Sequence, residues 1–214
     1  MKFFITGGAG YLGSTLCRQL LSNGHRVTVL DNLMYGQATS LFPVAGDDNF
    51  EYVHGDVRDT KLLTRLGSKA DVIIPLACLV GAPLCNNNPL DAKAINTDHV
   101  IELSKLGKKL IYPTTNSGYG VGGEDECDEE SPLNPLSVYG TTKVEAESHL
   151  LLNNSGVCFR LATVFGASPR QRLDLLVNDF VVKAKRDGCL VLFEQHFRRN
   201  YIHVKDVCNA FVFA

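Results

Sequence analysis

Short apolar runs alternate with amphipathic stretches along the whole of the 214-residue chain. Residues 3–6 are apolar or β-branched and end abruptly in glycine, which reads as a buried strand. Residues 11–23 carry Leu12, Leu16, Leu20 and Leu21 at helical spacing, and Asn23-Gly24 stops that helix. A second strand is predicted over 26–30. A polar loop with Gly36, Pro43 and Gly46 leads to a third, Phe50–His54. Asp59 suits the N-cap of a helix through Leu66. Asp71-Val72-Ile73-Ile74 reads as strand four, apolar without a break after Asp71, as a parallel strand buried on both faces must be. A long helix is predicted over 89–106, with Pro89 near its first turn. Strand five follows at 109–112, a helix at 137–153, strand six at 157–161 and a helix at 172–187. A short strand is predicted at 190–193, a strand-like run at 201–204, and an incipient helix from Asp206. Such alternation predicts an α/β fold with a parallel, doubly wound sheet.

The turn after the first strand carries the first chemical signal. Gly7, Gly10 and Gly13 match the dinucleotide fingerprint: a tight turn, a close backbone approach to a pyrophosphate, and close packing of helix on strand. The helix start after them presents N–H groups to phosphates. The second strand ends at Asp31, 18 residues beyond Gly13, near the spacing that holds a ribose 2′-hydroxyl. Its negative charge would repel a 2′-phosphate, so NAD is expected rather than NADP. Asp56 follows the third strand, where open α/β sheets bind ligands. It reads as a hydrogen-bond partner for adenine or as a turn residue.

Two Tyr-x-x-x-Lys sequences occur, Tyr139/Lys143 and Tyr201/Lys205. On a helix the i and i+4 side chains are neighbours; on a strand they stand roughly 13 Å apart. Only Tyr139 opens a helical segment, so only Tyr139 and Lys143 can act as one unit. A free phenol is a poor base near neutral pH, and a nearby ammonium together with an oxidised nicotinamide favours the phenolate. Thr115, at the end of strand five, can hydrogen-bond the same substrate oxygen.

Composition narrows the setting. A formal net charge of −2 gives no electrostatic case for nucleic acid or acidic membranes. No apolar run approaches a membrane span, and the N-terminus does not read as a signal peptide. The seven cysteines, at 17, 78, 85, 127, 158, 189 and 208, form no Cys-x-x-Cys pair, so no metal site is expected, and a reducing cytoplasm suits them. The acidic run 124–130 reads as a solvated surface segment.

Together these motifs resemble the extended short-chain dehydrogenase/reductase family, in particular its nucleotide-sugar epimerases and dehydratases. The matching pieces are Thr6 to Gly13, Asp31-Asn32, Gly55-Asp56-Val57, Tyr139-Gly140-Thr141-Thr142-Lys143 and Arg199 to Val204. The resemblance implies Tyr139 as base, Lys143 on the nicotinamide ribose and Thr115 at the Ser/Thr position. It implies a cofactor site of Gly7, Gly10, Tyr11, Leu12, Asp31, Asn32, Asp56, Val57, Leu76, Ala77, Tyr139 and Lys143. It also implies Asn178 and Arg199 on the diphosphate of a nucleotide sugar, where an Arg fork suits phosphate oxygens.

Departures shape the expected reaction. Dehydratases of this family carry Asp-Glu after the threonine, where this chain has Asn116-Ser117, so 4,6-dehydration is not expected. Pro75 replaces the usual His, and Thr163 the usual substrate Asn. Relatives continue for roughly a further hundred residues, the size of a small domain. The expected architecture is therefore a Rossmann domain, 1–165, followed by an incomplete C-terminal substrate-binding portion, 166–214, that partly returns to it. The expected function is NAD-dependent epimerisation or dehydrogenation of a nucleotide sugar, at carbon 4. A catalytically incomplete NAD-binding unit and a reductase of a non-nucleotide carbonyl compound are the alternatives. A homodimer pairing through helices 89–106 and 138–153 is also implied.

Overall fold

The computed structural model describes residues 1–121 and 126–214. Glu124 and Asp125 of the acidic run lie outside the described residues; residues 126–130 are exposed. The strands are β1 (Lys2–Thr6), β2 (Arg26–Asp31), β3 (Phe50–His54), β4 (Val72–Pro75), β5 (Lys109–Thr115) and β6 (Gly156–Leu161), with β7 (Thr163–Phe165) and β8 (Tyr201–His203) apart. The first six form one sheet in the order β3-β2-β1-β4-β5-β6, every pair parallel. The chain winds outward from β1 to β3, then restarts at β4 on the other side of β1. That reversal opens a crevice at the carboxyl ends of β1 and β4.

Apolar side chains on both faces of the strands explain why the sheet is covered twice. Phe3, Ile5, Val27, Val29, Val72 and Ile74 join a core with α1 (Tyr11–Ser22). Phe4, Leu30, Ile73, Leu110 and Tyr112 join another with α2 (Thr60–Gly67). Asp59 caps α2 as expected, accepting a hydrogen bond from Leu62 N at 3.0 Å.

The helical stretch before β5 is interrupted, where one helix over 89–106 was expected. It comprises α3 (Ala82–Asn87), α4 (Pro89–Lys93), a π turn (Ala94–Asp98) and α5 (His99–Ser104). Pro89 lacks the N–H needed to continue α3 into α4. The helix carrying the Tyr-x-x-x-Lys pair is α6 (Val138–Leu152), and α7 (Leu176–Asp187) begins later than residue 172. Residues 190–193 form no strand. Leu190, Val191, Leu192 and Phe193 are exposed, and an apolar run becomes a strand only where another strand takes its backbone bonds. Val204 opens α8 (Val204–Phe213), which is capped by His203 and buries Val207, Cys208 and Phe211 in the α1-side core. Tyr201 therefore lies on β8 and Lys205 on α8.

Candidate active site

A cleft of about 640 Å³ opens at the carboxyl ends of the strands, where the winding reverses. Its floor is the glycine turn. Gly7 adopts φ +71°, and its N–H donates to Leu30 O at 2.8 Å. A Cβ on Gly7 would stand 2.6 Å from Ala77 N, and one on Gly13 would stand 2.7 Å from Gly7 O. Gly10 faces open space apart from Gly7 O, so a ligand can approach its backbone. No side chain caps the start of α1, which leaves its first N–H groups for a ligand. Shape, absent side chains and free donors fit the pyrophosphate of a dinucleotide.

Each strand end adds a wall. Asp31 closes β2 and is buried. Its Oδ2 accepts from Ala9 N at 3.0 Å and its Oδ1 from Leu33 N at 2.8 Å. It therefore braces the glycine turn while lining the cleft, and burial pushes its pKa up. Asn32 lines the cleft beside it and reaches Asp56 at 3.4 Å. Asp56 also lines the cleft, but Arg58 grips it at 2.9 Å and 2.7 Å and holds its carboxyl down at about 2. The turn reading of Asp56 is thus real: Arg58 N donates to Oδ1 at 2.9 Å. Tyr11, Leu12, Val57, Leu76 and Ala77 line the same space. Leu76 N and Ala77 N are tied to Thr6, at O (2.9 Å) and Oγ1 (3.3 Å). The Thr6 hydroxyl also lies 3.4 Å from Nε2 of the buried His99.

The opposite wall brings together Thr115, Tyr139 and Lys143. Ser137 caps α6, accepting from Gly140 N at 3.1 Å, and so fixes the first turn that carries Tyr139. Burial raises the Tyr139 phenol, while the Thr115 hydroxyl and the Arg172 charge act to lower it. The Lys143 side chain is buried, its ammonium 3.9 Å from the centre of the Tyr112 ring, and burial pushes its pKa down.

Sequence reading missed Asn96. It stands in the π turn and clamps the segment after β4, accepting from Leu79 N at 2.8 Å and donating to Leu79 O at 3.1 Å. The same amide donates to Thr142 Oγ1 at 3.2 Å, and Thr97 donates to Thr142 O at 2.8 Å. The residue before Lys143 is thereby fixed to the cofactor-side wall. A polar Asn-Thr pair inside an apolar-periodic helix was the available signal.

The outer rim is cationic. Arg199 lines it, joined by Arg170 and Arg172, which sequence reading did not single out. Arg170 stacks over Tyr35 at 5.1 Å, and Arg172 pairs with Asp174. Asn178 requires a correction. It is buried and does not line the cleft. Its amide accepts from Gly166 N at 3.0 Å and donates to Arg172 O at 2.9 Å and Tyr11 Oη at 3.4 Å. With both ends of the amide committed, Asn178 holds the arginine loop. Among the described residues no group of His, Cys, Asp and Glu is arranged to hold a metal ion, and no helix is long and apolar enough to cross a membrane.

Comparison with known proteins gives concordant matches. The model of the NAD dependent epimerase/dehydratase family matches residues 3–214. A UDP-glucose 4-epimerase of Mycolicibacterium smegmatis is 31% identical over 228 residues, covering 99% of this chain and 72% of its own. The crystal structure of DesIV, a dTDP-glucose 4,6-dehydratase of Streptomyces venezuelae with NAD and TYD bound, superposes with TM-score 0.86 at 27% identity, covering 98% of this chain and 70% of that one. The UDP-glucuronic acid 4-epimerase of Bacillus cereus, in complex with UDP-glucuronic acid and NAD, gives TM-score 0.87 at 25% identity, covering 99% and 72%.

Proposed function

The chain belongs to the NAD-dependent epimerase/dehydratase family, and from that premise we propose that it oxidises a nucleotide sugar at a hydroxyl-bearing carbon, carbon 4, as an epimerase or a dehydrogenase. The observation that carries this reading is the placement of Thr115, Tyr139 and Lys143 on one wall of the cleft that the glycine turn opens. Gly7, Gly10, Tyr11, Leu12, Asp31, Asn32, Asp56, Val57, Leu76 and Ala77 would hold the dinucleotide along the other walls. When bound, the nicotinamide supplies the hydride acceptor.

Tyr139 takes the proton of the sugar hydroxyl at its phenolic oxygen, and Thr115 donates a hydrogen bond that orients that hydroxyl's oxygen. A buried phenol holds its proton, so cationic neighbours must favour the phenolate; Lys143 and Arg172 are the groups placed to do so. Arg199, with Arg170, meets the diphosphate, for which two guanidinium forks suit the oxygens. Asn116 donates to Asn200 Oδ1 at 2.8 Å and offers no acid–base pair beside Ser117, which supports epimerisation or dehydrogenation over dehydration. The division near residue 165, a homodimer paired through α4–α5 and α6, and a cytoplasmic setting belong to the same proposal; sedimentation equilibrium tests the dimer.

The test is incubation with NAD and a panel of nucleotide sugars, with products resolved by mass spectrometry and NMR. An isomer of unchanged mass identifies an epimerase, and loss of two hydrogens with NADH formed identifies a dehydrogenase. Tyr139→Phe is expected to lower turnover about 10²–10⁴-fold while NAD still binds. Arg199→Ala is expected to weaken nucleotide-sugar binding and leave NAD affinity in place. NAD binding without any product would favour a catalytically incomplete unit. Unchanged substrate affinity in Arg199→Ala would favour a non-nucleotide substrate.

A further inference from the structure

One turn beyond Lys143 on α6 stands Glu147, only 1% exposed. Its Oε1 accepts from Arg160 Nε on β6 at 2.7 Å. Its Oε2 is buried and has no hydrogen-bond partner among the described residues. A buried carboxylate with half its acceptors unused is costly unless it serves a nearby charge. Besides Arg160, the i−4 neighbour on the same helix face is Lys143, itself buried. Arg160 also donates to Tyr119 Oη at 3.1 Å and Glu129 O at 3.0 Å, so its guanidinium is shared with the loop after β5.

We infer that Glu147 is a positioning residue that keeps Lys143 an ammonium in the cleft wall through its unshared carboxylate oxygen, with Arg160 holding that carboxylate in orientation. Glu147 is the one carboxylate among the groups that act most strongly on Lys143. The groups facing it are Cys78 after β4, Tyr112 on β5, Cys158 on β6, His99 on α5, and Tyr139 and Glu147 on α6. Burial pushes the Cys78 and Cys158 thiols up to about 11 and about 12, and raises both phenols, so all four are neutral near pH 7 in the chain without cofactor. His99 is pushed down to about 3 and is neutral as well. Glu147, ion-paired with Arg160, is the carboxylate among these groups, and it acts against the effect of burial on Lys143. The Tyr112 ring face adds a weaker attraction.

The inference rests on the proposed active site only for the role of Lys143, so the test reads the lysine directly. Chain carrying ¹³C-lysine is titrated by NMR, with the Lys143 Cε resonance assigned by its loss in Lys143→Met. Glu147→Gln keeps an acceptor for Arg160 but removes the charge, and should move the Lys143 midpoint down by about one unit or more. Arg160→Gln removes the opposing cation and should move it up. The two variants thus predict opposite signs, and a generally loosened fold does not produce that pattern. A midpoint unmoved by Glu147→Gln, or one that moves the same way in both variants, overturns the inference. If Glu147→Gln does not fold, the Arg160→Gln shift alone decides. NAD affinity measured on the same samples separates the two claims: a Lys143 that titrates as inferred in a chain that does not bind NAD overturns the proposed function and supports the Glu147 inference.

Discussion

Replacing Gly7 with alanine tests the geometry on which the cleft depends. Two costs add. Gly7 adopts φ +71°, a left-handed conformation that costs a residue with a Cβ about 1 kcal/mol or slightly more. The new methyl would also stand 2.6 Å from Ala77 N, 2.7 Å from Ala77 Cα and 2.8 Å from Leu76 C. These are backbone atoms, so no side-chain rotamer relieves the contact, and overpacking of this kind costs about 1–3 kcal/mol. The sum is about 3 kcal/mol, which for a chain of this size lowers the thermal midpoint by about 6–12 °C. Gly24→Ala is the control. Gly24 has φ +77° but nothing within 4 Å of its Cβ position, so only the conformational cost applies, about 2–4 °C. Calorimetry on the two variants isolates the close approach. NAD titration should show at least about a tenfold loss in Gly7→Ala, because displaced Leu76 and Ala77 line the cleft, and none in Gly24→Ala. Equal midpoint drops with equal NAD affinity would refute the tight β1–β4 crevice.

Two further perturbations probe the supports of the site. Asn178→Ala should destabilise the chain by about 1–3 kcal/mol, since Gly166 N loses its acceptor and Arg172 O its donor; unchanged denaturation with a selective loss of nucleotide-sugar affinity would return Asn178 to direct substrate contact. His99 is held down at about 3 by burial, against an ordinary value near 6.5. As pH falls from about 6.5 toward 3, the unfolded chain takes up this proton and the folded chain does not, so stability is lost across that window. Urea denaturation at several pH values should show a shallower acid slope in His99→Gln than in the wild type, and identical slopes would contradict the buried neutral histidine.

The readable parts of this protein share a physical basis. The strand and helix periods at 3–6, 11–23 and 26–30 emerged within a residue or two, because each is a local pattern whose apolar face must be covered. The spacing of Gly7, Gly10 and Gly13 was equally legible, since it is set by backbone sterics within one turn. Where local pattern misled, tertiary context had overridden it. The apolar residues 190–193 found no strand to pair with, and the expected helix over 89–106 was divided by the π turn at Ala94–Asp98.

The sequence by itself determined the parallel α/β winding, the glycine turn and the Tyr139–Lys143 pair on a common helix face, because each depends on residues a few positions apart. Only the tertiary structure decided which groups face one another across that frame. Asn178 turned inward to Gly166, while Arg170 and Arg172 came to the rim. Asn96 bridged Leu79 and Thr142, 17 and 46 residues away. Arg160 reached Glu147 from the neighbouring strand, leaving the other carboxylate oxygen buried without a partner among the described residues. Such pairings follow from the order of strands in the sheet and from the need to satisfy buried polar atoms, and neither is encoded in the spacing of any one segment.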